Sequence, residues 1–255
     1  MTPRCLAINL FYNDDDIVED ALTHLLENNH ELVVWDHGSD DGTAAVLDRF
    51  APHIRERHYL PRSFDFYKLF EHVSRHVMEH LADQYDWISF PESDEFLEGP
   101  TREKNYFQHV CDVVRSPYHW VESANNVFWF TDADDPTILS PRQRIKHYSI
   151  WPDCPPRVYG WRAHAMTVRW WNHNPCKGLG YPINFNTCHY PVRSLSQMDK
   201  RERGRIGLSR GGENAHFDAM ARNRHRMIIP PEMLHYDDGG ELSKVPTIDW
   251  KVIYR

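Results

Sequence analysis

The apolar positions of the first hundred residues alternate between two periods. Leu6-Ala7-Ile8-Asn9-Leu10-Phe11 is a nearly continuous apolar run of strand length, the pattern of a strand buried on both faces. Ile17, Val18, Ala21, Leu22, Leu25 and Leu26 then recur at one-turn spacing, leaving Glu19, Asp20 and His24 outside. That predicts an amphipathic helix, stopped by Asn28-Asn29, with Asn13 offered as its N-cap and Asp14 to Asp16 as carboxylates for its positive end. Leu32-Val33-Val34-Trp35 reads as a second buried strand ending at Asp36. Strand, helix and strand within about thirty residues make a βαβ unit, hence a parallel sheet with a right-handed crossover. A short helix over 44–50, a more polar strand over 54–60 and a long helix with Phe66, Leu69, Phe70, Val73, Val77 and Leu81 on one face continue the alternation. Trp87 opens a fourth strand. Pro91 ends it, because proline has no N–H to give to a ladder.

Polar clusters fall at the ends of these strands. After the second strand comes Asp36-His37-Gly38-Ser39-Asp40-Asp41-Gly42-Thr43, and after the fourth comes Glu92-Ser93-Asp94-Glu95-Phe96-Leu97. Open α/β sheets bind ligands beyond the carboxyl ends of their strands, where an acid such as Asp36 can accept from a ribose hydroxyl or a base N–H. Three carboxylates within four positions repel one another unless a cation lies between them, and a divalent ion with oxygen ligands is the usual solution. The blander reading of that stretch is a solvated acidic turn. The first loop lacks the G-x-x-x-x-G-K-[ST] of a phosphate-gripping loop, and its sixth position from Asp36 is Asp41 where a calcium loop wants glycine.

Composition narrows the classes. At 255 residues the chain can bury a sizeable core. A net charge of −8 argues against a general nucleic-acid binder, whose footprint is basic. No apolar run approaches a membrane span and no charged n-region precedes an apolar one, so a soluble, cytoplasmic protein is expected, with peripheral membrane contact left open. Five scattered cysteines without C-x-x-C argue against a zinc ribbon or a disulfide framework.

Taken in order, Asn13-Asp14, the loop from Asp36 to Thr43 and the turn from Glu92 to Leu97 resemble the family 2 glycosyltransferases of the GT-A fold over residues 4 to 99. The resemblance implies an α/β, GT-A-like (Rossmann-related), mostly parallel central sheet flanked by helices, with an irregular acceptor-side region following. It implies a nucleotide-sugar-binding half over 1–100 and an acceptor side over 101–255 of one catalytic domain. It further implies that Asn13, Asp14, Asp36, Gly38, Ser39, Asp41, Glu92 and Ser93 contact a nucleotide-sugar donor, a UDP-sugar favoured, and that Asp94 and Glu92 hold Mn2+ or Mg2+. Two positions depart from the family pattern: Glu92 stands in place of the first aspartate of D-x-D, and His37 in place of Asp or Asn.

Beyond Gly99 the pattern thins. Thr101 is expected to cap a helix carrying Phe107, Val110, Cys111 and Val114, and Tyr118 to Phe130 to run extended, its Val127-Phe128-Trp129-Phe130 end forming an acceptor wall. Thr131-Asp132-Ala133-Asp134-Asp135-Pro136 reads as a solvated turn, and 151–191 as short strands and long loops rich in Trp, His and Asn. Ser194 with Gln197 forms a capping box, so His189 and Arg193 precede a helix N-terminus and make an anion site, with Lys200 further on. The resemblance gives His189 to the metal and Arg193 and Lys200 to the diphosphate. Lys200 to Arg210 reads as a basic linker, 216–227 as a helix, and His235 to Asp238 has no assigned role.

The implied activity is metal-dependent, inverting transfer of a sugar from a nucleotide diphosphate to the hydroxyl of a carbohydrate, glycolipid or other polyhydroxyl acceptor. Inversion needs a base for the acceptor proton, and Glu122, Asp132, Asp134 and Asp153 are candidates, with Asp134 and Glu122 put first. One alternative is a catalytically silent nucleotide- or sugar-binding protein of the same fold. The other is a sugar nucleotidyltransferase, which would need a Gly-rich basic loop where Asn13 and three aspartates stand.

Overall fold

The computed structural model describes residues 2–62, 66–150, 156–168, 176–205 and 229–248, without the side chains of 66–67 and 201–205. In chain order these form β1 (Cys5–Phe11), α1 (Val18–Glu27), β2 (His30–Asp36), α2 (Thr43–Phe50), β3 (Ile54–Tyr59), α3 (Phe66–His80), β4 (Trp87–Ser89), β5 (Glu95–Glu98), α4 (Tyr106–Val114), β6 (Trp120–Trp129), α5 (Pro141–Arg144), β7 (His147–Ile150), β8 (Arg157–Arg162), β9 (Phe185–Val192), α6 (Leu195–Arg205) and β10 (His235–Tyr236). The helix expected over 216–227, the Trp170 to His173 cluster and Asp153 lie outside the described residues. The chain divides into two units, Met1–Ala124 with Pro156–Thr187, and Asn125–Pro155 with Cys188–Arg255.

The first unit is built on strands in the order β8-β4-β1-β2-β3. β1 pairs in parallel with β2, from Cys5 opposite His30 to Phe11 opposite Asp36, and with β4, from Cys5 opposite Trp87 to Ala7 opposite Ser89. β2 and β3 are also parallel, while β8 runs antiparallel to β4 and to the Trp120–Ser123 part of β6. The sheet is therefore mostly parallel, with the Rossmann-type order 3-2-1-4. From β1 the chain winds outward to β2 and β3, then crosses back to place β4 on the other flank of β1. That reversal is the topological switch point, where such sheets open a crevice.

The apolar code explains the layers. β1 and β2 are buried along almost their whole length, and β3, at the edge, alternates half-buried Ile54, Glu56 and His58 with exposed Arg55, Arg57 and Tyr59. Leu69, Phe70, Val73, Val77 and Leu81 pack with Leu6, Ile8, Val33, Trp35 and Ile88 into one core. Cys5, Trp87, Tyr106, Val110, Val121 and Phe185 form another around α4. Each fully buried Val, Leu or Phe side chain contributes about 1.5–3 kcal/mol relative to exposure.

Several local expectations are corrected. Asn13 does not cap α1: the cap position is Ile17, no side chain caps it, and the Asp14 carbonyl accepts from the Ile17 and Val18 amides. His24 points inward, buried, with Nε2 2.9 Å from the Leu97 carbonyl oxygen. Asn105, not Thr101, caps α4, in a capping box with Gln108.

In the second unit, Asn126–Phe128 of β6 pair antiparallel with β7, which pairs with β10. Val127, Phe128 and Trp129 are fully buried; Val127 and Trp129 pack with Val192, Ile229 and Ile248, so they are core and not an acceptor wall. Phe128 stacks between Tyr148 and Tyr190 at ring distances of 5.1 and 4.7 Å. α6 starts where the Ser194 and Gln197 signal puts it, with the Gln197 amide donating to Ser194 Oγ at 3.1 Å. Lys200 is thus helical and not part of a linker. The His235 to Asp238 group closes a turn: Asp237 and Asp238 carboxylates accept from the Gly239 and Gly240 amides. Cys5, Cys111, Cys176 and Cys188 are free thiols. Among the described residues no helix is long and apolar enough to cross a membrane.

Candidate functional site

Parallel strands end together, so the loops after β1, β2 and β4 share one edge of the first unit's sheet. Phe11 lies opposite Asp36 across the ladder, and the turn beginning at Pro91 follows β4 on the other flank of β1. Asp36 and the acids at 92–94 therefore border the switch point from opposite sides.

The first two loops are tied into one body. Asn13 adopts φ +55° and exchanges two bonds with Asp40: its Nδ2 donates to Asp40 Oδ1 at 2.7 Å, and the Asp40 amide donates to its Oδ1 at 2.9 Å. The Asn13 amide donates to Ser39 Oγ at 3.1 Å and the Asp14 amide to Thr43 Oγ1 at 2.9 Å. Asp41 accepts from the Thr43 amide through Oδ1 and from the Asp15 amide through Oδ2. Asn13, Asp14, Ser39 and Asp41 are thus joined in a loop clamp. Asp36 sits at its root, 4% exposed, with Oδ1 accepting from the Ser39 amide at 2.9 Å and its carbonyl from Leu60 at 2.8 Å. Gly38 is required here: its φ is +74°, and a Cβ would stand 2.8 Å from the Arg62 amide nitrogen.

Arg62 was not among the expected site residues. It follows β3 on the same edge and lays its guanidinium 3.7 Å from the centre of the Tyr12 ring, which His37 also meets edge on at 6.3 Å. A guanidinium stacked on an aromatic face presents the flat, cationic kind of surface on which bases stack.

The acidic turn is held by a buried carboxylate. The Glu95 side chain is fully buried and accepts from the Glu92 amide at 2.9 Å, from Arg157 Nη1 at 3.3 Å and from the Tyr159 hydroxyl. Burial, and then the neighbouring Glu95 charge, push the Tyr159 hydroxyl well above its ordinary range, so it remains a proton donor. Arg157 Nη1 also lies 3.8 Å from Glu92 Oε1. The turn is anchored to the sheet by Asn9 Nδ2 donating to the Pro91 carbonyl at 3.2 Å and by the Phe90 amide donating to Tyr159 O at 2.8 Å. Glu92 is half-buried on this turn, and Ser93 and Asp94 are buried, Asp94 at 3%. The sequence marked Glu95 as one of the three clustered acids but not as the support of the turn, because its partners Arg157 and Tyr159 lie more than sixty residues away.

Glu122 is half-buried on β6 beside a shift in the β6–β8 register. In the second unit, Asp134 corrects the expected solvated turn: its side chain is 2% exposed and Oδ2 accepts from the Thr131 amide at 2.7 Å. Burial holds its carboxyl above the ordinary 3.8, against the opposing pull of that amide and of His147, whose Nδ1 is 4.0 Å away. Asp132 and Asp135 are exposed. His189 is half-buried with Nδ1 3.4 Å from Asn125 Nδ2. Arg193 is almost completely buried, its Nη1 donating to the Tyr190 carbonyl at 3.0 Å and its own carbonyl accepting from Arg144.

No family model matches the chain, and no curated protein sequence matches it. Among solved structures, a fragment of S. aureus TarS, residues 1–349, is 12% identical with a TM-score of 0.41, covering 87% of this chain and 71% of that one. The same fragment in complex with UDP gives 12% and 0.42 over the same shares. A mycobacterial protein gives 14% and 0.39, with 89% of this chain and 76% of that one covered. Likeness this low adds nothing to the site's own geometry.

Proposed function

We propose that the chain is a metal-dependent glycosyltransferase that moves a sugar from a nucleotide diphosphate, UDP favoured, to an acceptor hydroxyl. The observation that supports it most is the shared strand edge, with the Asp36 loop and the Glu92 to Asp94 turn on the two flanks of β1 at the switch point. Asp36, fixed by the Ser39 amide, accepts from the nucleoside, and Arg62 on Tyr12 offers a stacking face. Asp94, with Glu92, holds Mn2+ or Mg2+ by hard oxygen ligands. That ion, when bound, offsets the charge that develops on the departing diphosphate. Glu95, Arg157 and Tyr159 act as positioning residues that keep the turn in one conformation. His189 is assigned to the ion, and Arg193 and Lys200 to the diphosphate, on the sequence resemblance alone.

Asp134 and Glu122 are the two base candidates, and Asp134 is put first; burial raises its carboxyl above the ordinary value, and inversion needs a base for the acceptor proton. Asp134→Asn is expected to lower kcat by about 100-fold or more with KM for the donor unchanged, and Glu122→Gln to leave kcat within a few-fold. The reverse pattern transfers the role to Glu122.

A second reading, a silent nucleotide- or sugar-binding protein, is favoured by one contact. Arg157 beside Glu92 and Glu95 already brings positive charge to the acidic turn without a metal. Incubation with UDP-sugars, Mn2+ and a broad panel of polyhydroxyl acceptors, reading released UDP, separates the two. Release that requires Mn2+ and acceptor supports the transferase; metal-dependent binding without release across the panel supports the silent binder.

A further inference from the structure

A cluster on the far edge strand of the first unit has no part in the site above. β3 alternates, so Glu56 and His58, two residues apart, share its inward face, and α3 brings His76 against them. Glu56 Oε2 lies 3.0 Å from His58 Nε2 and 2.8 Å from His76 Nε2, and one donor atom from each of the three residues falls within 4.8 Å of the others. All three side chains are partly exposed, at 28%, 31% and 26% for Glu56, His58 and His76, so an ion can reach them from solvent. The rings are held from behind: buried Trp35 stacks on His58 at 4.6 Å with planes 15° apart and meets His76 edge on at 5.5 Å.

We propose that Glu56, His58 and His76 form a zinc site that clips the edge strand β3 to α3, distinct from the ion assigned to Asp94. Two imidazole nitrogens and one carboxylate oxygen are zinc's own ligand types, and the fourth position is left to water, as in three-ligand zinc sites. With zinc bonds of about 2.0–2.2 Å, tetrahedral donors stand on the order of 3.3 Å apart. The two pairs through Glu56, at 3.0 and 2.8 Å, need open by about 0.3–0.5 Å, and all three donor atoms already lie within 4.8 Å of one another. Zinc takes the place of the hydrogens between the Nε2 atoms and Glu56, each neutral ring then carrying its proton on Nδ1. Two imidazoles favour zinc over the hard ions Mg2+ and Mn2+ at this cluster.

The test is isothermal titration of the full chain with Zn2+, repeated on variants. His58 supports Trp35, so the informative changes are on the half-exposed rim: His76→Ala and Glu56→Gln. Each is expected to weaken Zn2+ binding by about 100-fold or more, and His76→Cys, which restores a zinc ligand, to recover most of it. His72→Ala, one turn earlier and exposed on the same helix, is expected to bind Zn2+ at this site as the unmodified protein does. Zn2+ affinity unchanged in His76→Ala and Glu56→Gln would overturn the proposal, as would an equal loss in His72→Ala or no binding by the unmodified protein.

Discussion

Tyr159 shows how much of the proposed chemistry depends on residues that never touch the ligand. Its hydroxyl is one of the donors that satisfy the fully buried Glu95 side chain, and Glu95 in turn fixes the Glu92 amide. Tyr159→Phe removes that donor while keeping the ring. A buried carboxylate short of one partner costs about 1–3 kcal/mol, so chemical denaturation should register a loss of that size, with Mn2+-dependent donor binding weakened by roughly tenfold for each 1.4 kcal/mol that reaches the turn. No change in either quantity would remove Glu95 from its positioning role. Asp36 was legible in the sequence because it stands at the end of an apolar run; the Glu95 support was not, since nothing local marks Arg157 or Tyr159 as its partners.

Among the elements, β2 carries a pH dependence of its own. His30, its first residue, is buried 3.0 Å from Ser89 Oγ of β4 and stacks on Tyr106 of α4 at 5.9 Å. Burial lowers the imidazole from 6.5 to about 4. Between those values the unfolded chain takes up a proton that the folded chain refuses, so stability is complete above 6.5 and falls as pH drops toward 4. A shift of that size corresponds to about 3 kcal/mol. Melting curves from pH 7 to 4 should show this loss, and His30→Gln should flatten that part of the profile; an unchanged profile would contradict it. The strands and helices of the first hundred residues were readable because their apolar periods are strong and close together. The helix caps were less so. Asn13, an ordinary capping residue, is drawn instead into the bonds with Asp40, and Asn105 displaces Thr101 because Gln108 completes its box. The zinc cluster was hidden in the parity of an edge strand: Ile54, Glu56 and His58 share a face, but only α3 shows what the polar pair meets.

For the molecule as a whole, legibility divides along the two units. The order of strands and acidic loops at the start of the chain dictates a parallel sheet with a single reversal, and the edge bearing Asp36 and Asp94 follows from that order. In the second unit the aromatic content misled, because Val127, Phe128 and Trp129 build a core from residue types that equally line sugar sites. The account stands or falls on whether the Asp94 turn holds a cation for a bound nucleotide diphosphate. Titrating UDP into the chain with and without Mn2+, and into Asp94→Ala, asks that directly. Binding should tighten by about tenfold or more with Mn2+, and Asp94→Ala should lose that gain while keeping the metal-free affinity. Equal affinity with and without Mn2+, or a Mn2+ effect that survives Asp94→Ala, would contradict it.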